Sequence, residues 1–184
     1  MKRIVILAGV LLLSVSAFAA KTSNLENTIQ SHYNNRELNV EKSNSKKVSQ
    51  TEKNISSTKA GVRDQIIAFA QKKLGSPYVW GATGPNSFDC SGFVGYVFKS
   101  AANLTLPRVS SDQATFKPKI SSMNMKKGDL VFFNTTGKGI SHVGIYMGNR
   151  QFIHASSGSR RVTVSSLDSS FYSKTFRWAI NPFS

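Results

Sequence analysis

Cysteine is almost absent from this chain: Cys90 is the only one among 184 residues, so no disulfide can form within a single molecule. Acidic residues are also scarce, with 9 Asp and Glu against 24 Lys and Arg, which gives a net charge of +15. Such a charge favours anionic partners. Because the basic residues are scattered and no compact basic run is flanked by aromatic residues, we expect no nucleic-acid binding. An anionic cell-envelope surface is the partner that we expect from charge.

Long hydrophobic runs are missing except at the N-terminus. Residues 1–19 begin with MKR, continue with the apolar run IVILAGVLLLSV and end in Ala17-Phe18-Ala19, which is the layout of a secretory signal peptide. The apolar run is short for a typical membrane span, and an uncleaved anchor is the alternative. We therefore predict an exported protein, located in a periplasm or, as the alternative, secreted.

Composition divides the rest of the chain into two parts. Ser, Asn, Thr, Lys and Glu dominate residues 20–59, which cannot bury enough apolar surface to offset the entropy of the chain, so we predict a flexible polar tether there. Residues 60–184 have the length and apolar content of one domain with its own core. They contain no internal repeat. We expect this domain to be monomeric.

The order of the predicted elements indicates the fold class. Apolar residues recur at helical spacing from Val62 to Leu74, and a second apolar helix is predicted from Ser91 to Ala102 with Asn103 as a left-handed cap. Five strands are predicted after these helices: Leu130–Phe133, His142–Met147, Gln151–Ala155, Arg161–Val164 and Lys174–Ile180. Helices followed by an antiparallel sheet predict an α+β fold.

The lone thiol of Cys90 lies at the predicted start of the second helix. A single cysteine in an exported protein indicates an intermolecular disulfide or a free reactive thiol, and a buried structural cysteine is the alternative. The unpaired N–H groups and the positive dipole end of a helix start favour a thiolate. We therefore expect a lowered pKa and a nucleophilic sulfur.

Two histidines of the domain, His142 and His154, fall on neighbouring predicted strands. With Gly148-Asn149 as a two-residue hairpin turn, Met147 pairs with Arg150 and His142 lies opposite Ala155, one step from His154. A nucleophile, a base and a group that orients the base form the recurring arrangement of acyl-transfer sites. The same three side chains could bind zinc, but no C-x-x-C or H-x-x-x-H pair is present, so we expect no metal and no other cofactor.

Three segments together resemble the NlpC-type cell-wall cysteine peptidases. They are GSPYVWGATGPNSFDCSGFVGYVF, LPRVSSDQ and MKKGDLVFFNTTGKGISHVGIYMGNRQFIHAS, in this order. The resemblance implies a papain-like α+β fold, in which N-terminal helices pack on a five- to six-stranded, mainly antiparallel sheet. It also implies a nucleophile at Cys90, a general base at His142 and an orienting residue at His154.

The resemblance further implies residues that bind substrate or stabilise the oxyanion. Tyr78 matches a tyrosine near the nucleophile, Asp89 and Ser91 match positions that line the substrate groove, and Arg108 matches a recurrent arginine close to the site. Two alternatives stay open. Tyr78 and Trp80 could be core aromatics, and Asp89 could be the N-cap of the second helix.

The activity implied by the resemblance is hydrolysis of peptide bonds in peptidoglycan stems or cross-links through an acyl-enzyme. The bond between γ-D-glutamate and a diamino acid is the expected one. A related papain-like amidase or acyltransferase and a secreted antibacterial effector are the alternatives, and a wall-binding protein without catalysis is a third class.

Overall fold

The computed structural model describes residues 30–31, 36, 47–49, 58 and 60–184. The chain divides into two units, residues 1–56 and residues 57–184, and the described positions of the first unit are helical and exposed. The predicted signal peptide, residues 1–19, lies outside the described residues, as does most of the predicted tether, residues 20–59. In the described part of the chain, no helix combines the length and the apolar character that crossing a membrane requires.

The helices of the second unit precede most of the sheet. The described part of α1 covers residues 60–71, and a turn ends it at Gly75, whose φ is +82°. Helix α2 spans Cys90–Ala102 and ends at Asn103, which has the predicted left-handed conformation, with φ of 51°. The short helix α3 spans Ser110–Gln113, and α4 spans Ser170–Thr175. The predicted start of α2 at Ser91 was one residue late, because the helix begins at Cys90.

In the described part of the chain, six strands form one antiparallel sheet in the order β1-β6-β2-β3-β4-β5. Their bounds are Lys119–Ile120 for β1, Leu130–Phe133 for β2, His142–Gly148 for β3, Gln151–Ser156 for β4, Arg161–Ser166 for β5 and Phe176–Ile180 for β6. The predicted α+β class with a five- to six-stranded sheet is confirmed. β1 was not predicted, because two residues give no detectable alternation.

One predicted strand was too long at its start. The prediction ran from Lys174 to Ile180, whereas Lys174 belongs to α4 and β6 begins at Phe176. The hydroxyl of Ser169 accepts a hydrogen bond from the N–H of Tyr172 at 3.3 Å and caps this helix. Ser at an N-cap therefore starts a helical turn where the sequence pattern predicted extended chain.

The two faces of the sheet carry different hydrophobic clusters. Leu130 and Phe132 of β2 belong to the cluster that includes the buried residues of α1 and α2, whereas Val131 and Phe133 belong to a second cluster. On β3, Val143 and Ile145 belong to the cluster on the helix side of the sheet, whereas Tyr146 belongs to the second cluster. Because side chains alternate between faces along a strand, residues 142 and 154 lie on the face of the second cluster.

The predicted hairpin register between β3 and β4 was wrong by one residue. Ile145 pairs with Ile153, and Gly148 pairs with Gln151 after a register shift. The turn consists of Asn149 and Arg150, whose φ values are 49° and 58°, as a type I′ turn requires. Since an arginine rarely adopts a positive φ, residue type did not indicate this turn.

A glycine allows the loop before α2 to lie against the start of the helix. A Cβ atom at Gly92 would lie 2.3 Å from the carbonyl oxygen of Ala82 and 3.0 Å from Oδ1 of Asp89. The same carbonyl accepts a hydrogen bond from the N–H of Asp89 at 2.8 Å. Any side chain at position 92 must therefore displace the loop or the helix start.

We predict that Gly92→Ala lowers the free energy of unfolding by about 1–3 kcal/mol, because the added methyl group overpacks this contact. Gly95→Ala in the same helix is the matched control, since a Cβ atom there meets nothing within 4 Å. The control should leave stability unchanged or raise it by up to about 1 kcal/mol. Denaturant unfolding of both variants measures the difference, and equal stabilities would contradict the close contact at Gly92.

Candidate active site

Cys90 is the first residue of α2, and its thiol is a free one, 8% exposed. The N–H of Gly92 bonds to the carboxylate of Asp89, and the N–H of Phe93 bonds to the Asp89 carbonyl. The backbone N–H groups of Cys90, Ser91 and Val143 interact with the sulfur. Because Val143 follows His142, this contact brings the start of β3 against the start of α2.

The pKa of the Cys90 thiol is raised from its ordinary value. Burial is the largest cause, and the negative charge of Asp89 adds to it, while the N–H groups around the sulfur act in the opposite direction. The prediction of a lowered pKa was therefore wrong for the unreacted protein. Burial and Asp89 together outweigh the helix start, so the sulfur stays a thiol unless a base removes its proton.

The Asp89 carboxylate connects three segments beside the thiol. It accepts hydrogen bonds from Gly92 N at 2.6 Å and Gly81 N at 3.1 Å, and it pairs with the Arg108 guanidinium at 2.6 Å. The N-cap alternative for Asp89 is confirmed. Arg108 also donates to the Ser91 hydroxyl at 3.1 Å, so the structure brings together Asp89, Ser91 and Arg108 as one cluster.

A buried glutamine, which the sequence analysis missed, holds the Arg108 segment against α2. Gln113 is fully buried, and its Nε2 donates to the carbonyl oxygens of Ser91 at 3.2 Å and Pro107 at 2.8 Å. The amide therefore ties the residue before Arg108 to the residue after Cys90. In the sequence, the feature that pointed to this role was a polar side chain, Gln113, at the end of the short LPRVSSDQ segment.

The two aromatic residues of the loop before α2 occupy different environments. Tyr78 is partly buried, and burial together with the charges of Cys90 and Asp89 raises the pKa of its hydroxyl. The hydroxyl is thus close to both groups. Trp80 is 87% exposed, so the alternative that it is a core aromatic was wrong.

The two histidines form a buried pair. Nε2 of His142 and Nδ1 of His154 are 2.8 Å apart, and the rings are nearly perpendicular, with centroids separated by 4.9 Å. The predicted adjacency is confirmed, although the register differs. Since Nε2 of His142 is engaged with His154, Nδ1 is the ring nitrogen of His142 that remains for another partner.

Burial keeps the histidine pair neutral. Desolvation lowers the pKa of His142 to about 4, and desolvation together with the charge of His142 lowers the pKa of His154. A neutral imidazole can accept a proton, and its low basicity disfavours holding that proton for long. The pair therefore has the protonation state that a general base requires.

Three further residues, which the sequence analysis missed, surround the pair. The Ser165 hydroxyl on β5 lies 2.9 Å from Nε2 of His154, and the Tyr172 ring packs edge-on against the His154 ring at 5.4 Å. A Cβ atom at Gly144 would lie 2.5 Å from the Phe152 ring and 3.3 Å from Cβ of His154. Gly144 therefore leaves room for the Phe152 ring, which packs against the His154 ring at a centroid distance of 4.7 Å.

A cleft of about 520 Å³ opens beside the histidine pair. Hydroxyl-bearing side chains and two aromatic rings form most of its wall, together with His142. The lining residues are Thr135, Thr136, His142, Ser156, Ser157, Gly158, Ser159, Ser165, Phe171 and Tyr172. Among the described residues, no group of three or more His, Cys, Asp or Glu side chains is arranged to hold a metal ion.

The arrangement can support nucleophilic acyl transfer. It places a thiol at a helix start, beside backbone N–H groups that could hold an oxyanion, and against the start of the strand that begins with His142, whose imidazole is hydrogen-bonded to a second imidazole.

Comparison with known sequences identifies a family. Residues 75–181 match the model of the NlpC/P60 family. A probable endopeptidase p60 of Listeria monocytogenes is 56% identical over 90 residues, which are 49% of this chain and 18% of that protein. A gamma-DL-glutamyl hydrolase of Bacillus subtilis is 44% identical over 109 residues, which are 58% of this chain and 26% of that protein. This chain thus spans less than a third of the length of either relative.

Solved structures share the fold. The NlpC/P60 domain of the peptidoglycan hydrolase SagA is 36% identical, with a TM-score of 0.58 over 65% of this chain and 97% of that chain. RipD of Mycobacterium tuberculosis, a non-catalytic NlpC/P60 domain protein adapted to peptidoglycan binding, is 25% identical, with a TM-score of 0.54 over 65% of this chain and 96% of that chain. The predicted papain-like class is confirmed.

We predict that acid destabilises the protein through His142. In the unfolded chain, His142 binds a proton below pH ~6.5, whereas in the folded protein the buried imidazole stays neutral until about pH 4. The free energy of unfolding therefore falls as the pH drops through this window. The loss attributable to His142 should be on the order of 2 kcal/mol between pH 7.5 and pH 5. His142→Gln removes this titration.

Denaturant unfolding of wild type and His142→Gln across this pH range measures the contribution. A steeper loss of stability in the wild type is expected, whereas parallel curves would mean that His142 is readily protonated in the folded state.

Proposed function

The chain belongs to the NlpC/P60 family, and we propose that it is a cysteine endopeptidase that hydrolyses stem or cross-link peptides of peptidoglycan. The observation that carries the proposal is the 2.8 Å bond between His142 and His154, at the start of a strand whose next residue, Val143, contacts the buried sulfur of Cys90. A domain that only binds peptidoglycan, as RipD does, would not need this set of three side chains. The names of the endopeptidase relatives support the same activity.

The proposed reaction begins with transfer of the Cys90 proton to Nδ1 of His142. The resulting thiolate attacks the amide carbonyl carbon, and the N–H groups at the start of α2, together with the Tyr78 hydroxyl, stabilise the oxyanion. His142 then returns the proton to the nitrogen of the leaving amine, which leaves an acyl group on the sulfur. Water hydrolyses this thioester with His142 as the base.

We assign the acyl side of the substrate to the cluster around Asp89. Arg108 forms an ion pair with Asp89, and 45% of the Arg108 side chain is accessible. It is thus placed to meet a substrate carboxylate, while Ser91 and the remaining charge of Asp89 could meet a substrate ammonium, as a stem peptide offers. The gamma-DL-glutamyl hydrolase relative supports a γ-D-glutamyl–diamino acid bond as the one cleaved.

We further propose that the protein acts outside the cytoplasm, in a periplasm or after secretion, as a monomer. The composition of residues 1–19 and the net charge of +15, which attracts the chain to an anionic envelope, support this location.

Cys90→Ser tests the proposed chemistry, because serine preserves the shape of the side chain but its hydroxyl is far less acidic than a thiol. Purified peptidoglycan is digested with wild type or variant, and soluble muropeptides are identified by mass spectrometry. We expect the variant to fold with wild-type stability and to release at least 10³-fold less product (about the loss when one member of such a triad is removed). Equal release by both proteins would refute the proposed nucleophile.

The same digest identifies the bond. Cleavage at the proposed position yields one fragment that ends in γ-D-glutamate and another with a new N-terminal diamino acid. Products cut at the sugar–peptide amide would indicate an amidase instead.

A further inference from the structure

The hydrogen-bonded chain of catalytic groups does not end at His154. Nε2 of His154 lies 2.9 Å from Oγ of Ser165. Ser165 is on β5, which pairs with β4 so that Thr163 lies opposite His154 and Ser165 opposite Phe152. Because alternate residues of a strand share one face, Ser165, His154 and Phe152 lie on the same side of the sheet.

The donor and acceptor roles along this chain follow from the proposed function, on which this inference rests. To take the thiol proton, His142 must have an unprotonated Nδ1, so its Nε2 carries the hydrogen. That hydrogen is donated to His154, whose Nδ1 is therefore an acceptor. A neutral imidazole carries one hydrogen, so the hydrogen of His154 is on Nε2 and is donated to Ser165.

The Ser165 hydroxyl is itself held in place. The hydroxyls of Ser156 and Ser165 interact with the Tyr172 hydroxyl and partly offset the effect of burial on its pKa. The Tyr172 ring packs at 4.8 Å from the Phe152 ring and at 6.3 Å, nearly parallel, from the His142 ring. Tyr172 thus covers the histidine pair and positions the hydroxyl that accepts from it.

We propose that Ser165 is a positioning residue of the reaction, which accepts the Nε2 hydrogen of His154 and thereby selects the tautomers that leave Nδ1 of His142 free for Cys90. Without this acceptor, the more favourable tautomer of His154 is the one with its hydrogen on Nδ1, because that hydrogen can be donated to His142. His142 would then carry its own hydrogen on Nδ1 and could not accept the thiol proton. Ser165 acts through the two histidines and need not touch the substrate.

The test uses the full chain and three variants. Ser165→Ala removes the acceptor, Ser165→Thr keeps a hydroxyl, and Ser166→Ala makes the same change at the next residue of β5, on the opposite face of the sheet. Imidazole ¹⁵N chemical shifts report which nitrogen of each histidine carries hydrogen. Turnover on a purified muropeptide gives kcat and KM.

We expect wild type, Ser165→Thr and Ser166→Ala to show Nε2–H tautomers at His142 and His154. Ser165→Ala should shift both histidines toward Nδ1–H and lower kcat by about 3- to 10-fold with an unchanged KM, since one hydrogen bond is lost. A merely structural role of Ser165 would change stability without changing the tautomers. Wild-type tautomers and wild-type kcat in Ser165→Ala, or equal losses of kcat in Ser165→Ala and Ser166→Ala, would overturn the proposal.

The tautomer measurement needs no substrate, so it separates this inference from the proposed function. If Cys90→Ser digests peptidoglycan as well as wild type does, the peptidase assignment fails whatever the spectra show. If Cys90→Ser is inactive and the Ser165→Ala spectra equal those of wild type, the peptidase assignment stands and the role of Ser165 fails.

Discussion

The surroundings of Cys90 depend on one carboxylate, that of Asp89. It caps α2 through Gly92, holds the preceding loop through Gly81 and pairs with Arg108 from a third segment. The same negative charge, together with burial, raises the pKa of the Cys90 thiol. The interaction that assembles the site therefore also keeps the sulfur protonated at rest. The reaction that we propose therefore needs a base to remove the thiol proton.

The base that we propose, His142, lies on the face of the sheet opposite the helices. The helices pack on one face, while His142 and His154 lie with the second cluster under Tyr172 of α4. Since His142 is the first residue of β3 and Val143 contacts the thiol, the strand end is where the two faces meet. At this edge, a thiol at a capped helix start lies against the strand that begins with a buried, neutral imidazole.

The sequence correctly predicted those parts of the fold that depend on interactions between residues close together in the chain. Helix spacing, the left-handed cap at Asn103 and the adjacency of the two histidine strands were all correct. The predicted hairpin register was wrong because the observed turn depends on a positive φ at Arg150, a conformation that arginine does not favour. The prediction of a lowered pKa for Cys90 was wrong because the burial that raises this pKa is a property of the tertiary structure. Ser165 was missed for the same reason, although polar residues alternating with Val162 and Val164 were visible.

In the mechanism that we propose, Cys90 carries the acyl group between the two steps. Acid quenching within the first turnovers, followed by intact-protein mass spectrometry and peptide mapping, measures this directly with a purified muropeptide. The account predicts an adduct on Cys90 whose mass equals that of the acyl fragment less one water, formed no later than the released amine. Product release with Cys90 unmodified at every time point, or an adduct on another residue, would contradict it.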